Sequence, residues 1–302
     1  MMSISPDNMM ARGLTIIGYT PNRQARVRRA ENLERFKTDF GKDPRVLVKV
    51  WVAIQQFPIE NKLENASQLD LDVFLWTFHW LTDYCKEKSL ERLTGWCDKT
   101  VRSRLKLMVH RIAALKEHVI IWPAAWNTPS ANTPTYLVSV DGTHCPIHEP
   151  TLGHPFSKNT RYYLHKFQRS ALAYEVALDI FTNRIVWING PFPAGTHDPD
   201  IFVLPNGLRS RIPAGKRVVA DSAYRRNAIL DVVSVPNNAD TREVCLFKRR
   251  VRARQETIFL RMKKFDVLTT NFRHGEAYHK VVFHAVAAIC HFELEYFPLF
   301  DP

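Results

Sequence analysis

The sequence predicts an all-α region followed by a mixed α/β sheet, and three observations carry that prediction. Apolar residues recur at helical spacing up to about residue 121, and short β-rich runs begin at 135. Between them lies a stretch marked by Pro123, Asn127, Pro129, Ser130, Asn132, Thr133 and Pro134. The expected organisation is a flexible basic N-terminal segment (1–30), a helical domain with a helix-turn-helix (31–121), a linker (122–134) and a sheet domain (135–302).

The first twenty or so residues have few apolar anchors and are expected to be irregular. Arg23, Arg26, Arg28 and Arg29 then form a basic run, read either as phosphate-contacting or as a solvated helix face. From Leu33 the pattern turns helical through Phe36, Phe40, Val46, Val50 and Trp51, broken by Gly41 and Pro44. Leu71, Phe74, Phe78, Leu81 and Cys85 make one buried stripe. A short helix follows from Ser89, its expected N-cap, to about Cys97, with Leu90, Leu93 and Cys97 inward. Asp98 is expected to cap a longer helix whose inner face is Val101, Leu105, Met108, Ile112 and Leu115 and whose outer face carries Lys99, Arg102 and Lys106. Two helices joined by a tight turn, the second basic outside, read equally as a DNA-binding helix-turn-helix or as a plain bundle.

Beyond the linker, strands are predicted at 135–140, Tyr174–Ile180, Ile185–Ile188 and 217–220, with Thr182-Asn183-Arg184 as a hairpin turn and a further strand around 243–247. A short helix is expected near Asp198 and a basic one over roughly 251–265. The apolar stretch from Tyr278 to Phe297 is read as a helix packing on the sheet.

At 302 residues and 45% hydrophobic composition the chain can bury a substantial core, which excludes a disordered protein. Forty-two Lys and Arg against 30 Asp and Glu give +12, which favours a polyanionic partner, with simple solubility as the competing reading. The five cysteines (Cys85, Cys97, Cys145, Cys245, Cys290) are scattered without CxxC or Cys/His ligand spacing and read as reduced thiols. No secretory leader is evident, and no apolar run approaches the ~18 residues of a membrane span. A soluble protein, not secreted and without a membrane partner, is expected.

Asp141 and Asp221 each end an apolar strand, and Glu256 sits on the basic helix. Phosphodiester cleavage asks for an activated oxygen and neutralised charge at phosphorus, which two divalent ions about 3.5–4 Å apart supply. Mg²⁺ takes hard carboxylate oxygens and keeps several waters, so acids converging from separate elements suffice without a compact motif. Asp141 suits a carboxylate bridging both ions, with Asp221 and Glu256 completing one each. Asp198, in Gly195-Thr-His-Asp198, is read either as a further ligand or as a helix N-cap. His197 is an auxiliary candidate for metal or phosphate, against a structural reading. Arg252 lies one turn before Glu256, so an intrahelical ion pair is the modest reading; together with Arg254 it fits DNA-phosphate contact. Lys248 to Arg254 also admits a nuclear-import signal.

Val140-Asp141-Gly142-Thr143, Tyr174-Glu-Val-Ala-Leu178, Ile185-Val-Trp-Ile-Asn-Gly-Pro191, Pro193-Ala-Gly195 with His197-Asp198, Ala220-Asp221-Ser-Ala-Tyr224, Arg252-Ala-Arg-Gln-Glu256 and Asn271-Phe-Arg-His274 together resemble Harbinger-type DDE transposases and host proteins derived from them. The resemblance covers about Phe36 to Phe300. It implies an RNase H-like catalytic fold behind a helical domain with a helix-turn-helix. It matches Asp141, Asp221 and Glu256 to the DDE acids and Asp198 to a further metal ligand, with two Mg²⁺ or Mn²⁺ ions as cofactors. Implied too are cleavage at an element's end, attack of the freed 3′-hydroxyl on target DNA, a Myb-like DNA-binding partner, a homodimer and a nuclear location after synthesis in the cytoplasm. Where many relatives have Lys-Gly-Tyr after the second acid, this chain has Ser222-Ala223-Tyr224. A domesticated DNA-binding or partner-binding protein without transposition is the alternative reading.

Overall fold

In the computed structural model, which describes residues 4–57, 69–127, 135–151 and 158–302, the Ser5 hydroxyl accepts the Asn8 N–H and opens a helix at Pro6. This helix, α1 (Pro6–Ile16), corrects the expectation of an irregular, flexible segment over 1–30. Ser-Pro is a helix-start signal, and Met9, Met10 and Leu14 supply enough apolar surface to anchor the helix. The helices α2 (Pro21–Ala25) and α3 (Arg29–Phe40) follow, so the basic run lies on ordered backbone, with Arg29 paired to Asp7 at 2.6 Å.

Then come α4 (Pro44–Gln56), α5 (Leu71–Asp83), α6 (Glu87–Thr94), α7 (Asp98–Ala114) and the single turn α8 (Lys116–Val119). Phe74, Phe78 and Leu81 are fully buried, as the stripe requires, each contributing about 1.5–3 kcal/mol of apolar transfer. The α7 stripe from Val101 to Leu115 is likewise inside. Three local details differ from expectation. The short helix begins at Glu87 rather than Ser89, Cys97 rather than Asp98 occupies the N-cap of α7, and Leu93 and Cys97 face solvent. Only Leu90 of that inward set is buried, because a helix of eight residues presents a narrow face. Gly95 in the left-handed region (φ 72°) ends α6 and lets the chain turn within three residues into α7.

The sheet strands are β1 (Tyr136–Pro146), β2 (Tyr163–Leu164), β3 (Arg169–Asp179), β4 (Ile185–Pro193), β5 (Arg217–Val219) and β6 (Val233–Ser234). The sheet path is β2-β3-β1-β5-β6, with β4 also on β3. β1, β3 and β4 are antiparallel neighbours, whereas β5 and β6 join in parallel. This mixed sheet is consistent with an RNase H-like domain. The β3–β4 turn holds Asn183 at φ 52°, at the predicted hairpin position. The last elements are α9 (Asp198–Phe202), α10 (Arg242–Met262) and α11 (Glu276–Tyr296).

Two assignments over this half are corrected. Residues 243–247 are not a strand but the start of α10: the Thr241 carbonyl accepts the Cys245 N–H at 2.9 Å, and helical burial of Val251 overrides the β propensity of Val244 to Phe247. Helix α11 is not solely a layer on the sheet. By compactness the chain forms two units, one of residues 1–119, 262–269 and 281–296 and the other of 120–261, 270–280 and 297–302. Most of α11 therefore belongs with the N-terminal helices, where Lys42 and Lys49 meet its Glu293 and Glu295. Complete burial of Val282, Phe283 and Ala285 to Cys290 explains why the run reads as apolar all round. Of the expected linker, residues 128–134 lie outside the described residues, and Ala124–Trp126 form a 3₁₀ turn. Among the described residues no helix is long and apolar enough to cross a membrane.

Candidate active site

β1 does not end at Asp141. Gly142 to Pro146 continue the antiparallel ladder with β3, so Asp141 sits mid-strand opposite Val176. On its other edge β1 pairs in parallel with β5, and the last couple there is Ser139 with Val219. Asp141 and Asp221 each stand two residues past that couple, and parallel register therefore brings them out side by side. The ladder stops there and the sheet opens, the usual position for a site in a sheet with parallel strands.

Asp198 comes from elsewhere. It is the first residue of α9, where His197 holds the N-cap position and no side chain caps the helix, so the N-cap reading of Asp198 is overturned. Its carboxylate instead lies on the Cα of Gly142: a Cβ built there would stand 2.2 Å from Oδ1 and 2.8 Å from Cγ. Glycine at 142 is what admits the third acid.

The three carboxyls act on one another electrically. Burial raises the Asp141 carboxyl to about 7, aided by the charges of Asp221 and Asp198 and opposed by the Gly142 N–H and Arg252. Asp198 is raised by burial and by Asp221, with His197 opposing. Asp221 Oδ1 accepts the Ala223 N–H at 2.9 Å, which fixes the turn after β5. Like charges brought together in a partly buried place are stable once a cation neutralises them.

Helix α10 is seated beside Asp141 by Gln255. Its Oε1 accepts the Ser139 hydroxyl at 2.9 Å and its Nε2 donates to the Val176 carbonyl at 3.1 Å. Arg252, half-buried one turn earlier, reaches Asp141 with its charge. Glu256 follows Gln255 directly but is exposed. No three of the four acids have their oxygens all within 4.8 Å of one another. The fold thus gathers Asp141, Asp198 and Asp221 and leaves Glu256 at the solvent edge.

Arg254 is corrected as a DNA contact. It is 2% exposed, and its guanidinium donates to the Ile180 carbonyl and, at 3.1 Å, to Asn183 Oδ1, clamping α10 to the β3–β4 turn. Burial lowers its proton affinity without removing its charge. Lys99, Arg102 and Lys106 are exposed on α7, though Arg102 is held by both oxygens of Glu87 at 3.2 and 3.0 Å.

Two groups escaped sequence reasoning. Glu175, opposite Gly142 in register, is 1% exposed, and its Oε1 accepts the Trp187 indole N–H at 2.9 Å while its Oε2 has no partner. Burial pushes it up to about 8, Trp187 opposing and Asp198 adding to the rise. Tyr224, three residues past Asp221, buries a hydroxyl without a partner and feels the charges of Glu175, Asp198, Asp141 and Asp221. The available signal was a lone glutamate inside Ala-Tyr-Glu-Val-Ala-Leu. A cavity of about 590 Å³ opens beside Asp198, with Arg161, His165, Lys166, His197 and Arg226 on its wall.

No curated protein and no solved structure matches the chain. The profile described as DDE superfamily endonuclease matches residues 140–291. That span opens one residue before Asp141 and takes in the rest of β1 with β5, α9 and α10, the segments that carry the acids. It covers just over half of the chain, which therefore belongs to the DDE superfamily endonucleases.

Proposed function

We propose that this protein is a divalent-metal-dependent transposase of Harbinger type, which cleaves DNA and joins the freed 3′-hydroxyl to target DNA. The observation that carries the reading is the parallel register that sets Asp141 beside Asp221, with Asp198 laid on Gly142. These residues fit a hard cation, being carboxylates close enough that Asp141 and Asp198 are raised by burial and by neighbouring acids, in a place where a Cβ would collide. Asp141, Asp198 and Asp221 would hold it, joined by Glu256 from α10. When bound, two Mg²⁺ or Mn²⁺ ions supply an activated oxygen nucleophile and charge neutralisation at phosphorus.

The chain's own groups do the rest. Asp141 holds a proton up to about pH 7 and must release it to bind a cation, so metal affinity falls below that pH. Gln255 keeps α10 at a fixed height over β1. The cations around the 590 Å³ cavity receive the phosphates flanking the cut, and His197, exposed next to Asp198, faces the same anion. In this reading α6 and α7 form a helix-turn-helix that adds sequence-independent contacts through Lys99 and Lys106. A Myb-like partner, a homodimer and a nuclear location belong to the same proposal.

A second reading, DNA binding without cutting, is favoured by the exposure of Glu256. One assay separates the two. Supercoiled plasmid is nicked in Mg²⁺ or Mn²⁺ by the unaltered chain, whereas Asp141→Asn and Glu256→Gln cut at least about a hundredfold more slowly with DNA affinity kept. Equal nicking by either variant removes that acid from the machinery, and no nicking by any form supports the second reading.

A further inference from the structure

We infer that the helical unit carries a zinc-type metal site built from His79, Asp83 and Cys85, with the fourth position left to water. The inference is independent of the acids discussed above and of the proposed reaction. One ligand atom from each of His79, Asp83 and Cys85 lies within 4.8 Å of the other two. In sequence the three look unrelated, and the scattered cysteines read as plain thiols. The fold keeps all five as free thiols and brings one of them, Cys85, beside His79 and Asp83. His79 and Asp83 are one turn apart near the C-terminus of α5, and Tyr84 in the left-handed region (φ 44°) folds Cys85 back onto that turn.

The donor set suits a borderline-soft ion. Imidazole and thiolate select zinc over magnesium or calcium, and a carboxylate is an accepted third ligand. A four-coordinate zinc keeps its donors about 2.0–2.3 Å away. Donors already this close need side-chain rotation to close on the ion.

One further observation points to a ligand. His79 Nδ1 lies 3.1 Å from the Asp39 backbone carbonyl, an atom that only accepts. Nδ1 therefore carries a hydrogen, and in the neutral imidazole Nε2 is the nitrogen that offers a lone pair to a metal. A ligating histidine is usually fixed in this way, its other N–H given to a carbonyl. Binding releases the Cys85 thiol proton and forms a metal–sulfur bond without redox change.

Such an ion would brace the end of α5, which His79 already holds to the Asp39 carbonyl of α3, just where the chain turns into α6, two residues after Cys85. Its role is structural, setting the direction of the α6–α7 pair.

The full chain, stripped of metal and titrated with Co²⁺, is expected to bind one equivalent with tetrahedral visible bands and a near-ultraviolet sulfur-to-metal band. Cys85→Ser loses the sulfur band and His79→Ala weakens binding at least about tenfold, while Cys97→Ser changes neither. The unmutated chain gives a second readout that needs no folded variant: Zn²⁺ protects Cys85 from iodoacetamide, whereas the exposed Cys97 and Cys245 stay reactive. A Co²⁺ spectrum without the sulfur band, a sulfur band surviving in Cys85→Ser, or equal labelling of Cys85 with and without Zn²⁺ overturns the site.

Discussion

In the helical unit the buried Glu293 meets the Lys42 ammonium at 2.7 Å, and Lys42 itself is 2% exposed. In the sheet unit Glu175, buried at least as deeply, meets neutral groups alone, the Trp187 indole at 2.9 Å and the Leu208 backbone. The first acid is neutralised within the chain. The second stands beside Asp198, in a cluster with Asp141 and Asp221 where Arg252 and His197 offset the acids only from a distance. A protein shaped for stability alone would pair both, since an unpaired buried charge costs several kcal/mol. The sheet unit carries its charge imbalance where the β1–β5 pairing ends, in a place that a cation from solution can reach. The contrast separates scaffold from working site more sharply than either set of residues does alone.

Breaking the paired acid is expected to have the largest effect. Lys42→Met leaves Glu293 buried without a partner and should cost about 3–5 kcal/mol in urea unfolding, while adding Glu293→Leu should restore most of that. If the single change is nearly neutral, the helical unit is not held together by charge compensation and the contrast fails. Gly142→Ala tests the unpaired side. The new Cβ must push the Asp198 carboxylate off β1, so metal-dependent nicking should fall about tenfold to a hundredfold with little change in melting temperature. Unchanged nicking would mean that Asp198 has no part in the site.

The smallest effect concerns pH. The Glu175 carboxyl titrates near 8 in the folded chain against a usual 4.5, so the native state binds the extra proton between those values. Its contribution to stability is complete below about pH 4.5 and is lost as pH rises through 8. Glu175→Gln cannot ionise. In chelator it should therefore flatten the fall in melting temperature between pH 6 and 8, a gain on the order of one kcal/mol at the upper end. A slope identical to that of the unaltered chain would show that the carboxyl is ionised throughout and in reach of water.

Much of this was legible in the residues. Asp141 and Asp221 follow apolar strand runs, and the Val101 to Leu115 stripe sets which face of α7 is outside. Those signals are local and period-based. What the residues hid was set by tertiary contact. The equal offset of two acids from Ser139 and Val219 is a property of pairing between strands far apart in sequence. Arg254 looked like one more cation on a basic helix, yet its position on α10 turns it inward onto the Ile180 carbonyl. Val244 to Phe247 have strand-like composition and became helix because the turns after them are buried. Likewise α1 was hidden by a short, weakly apolar sequence whose anchoring depends on packing against α3 and α4.

The β1–β5 register has a consequence for the timing of activity. Asp141 and Asp221 are 221 − 141 = 80 residues apart, and only the finished parallel pairing puts them together. A chain still emerging from the ribosome, with β1 made and β5 not, carries one acid without its neighbour. Misregister by a single residue would likewise turn one carboxylate to the opposite face. In the proposed reaction the paired acids are thus withheld until the sheet is complete, and a chain caught earlier has no finished site to offer DNA.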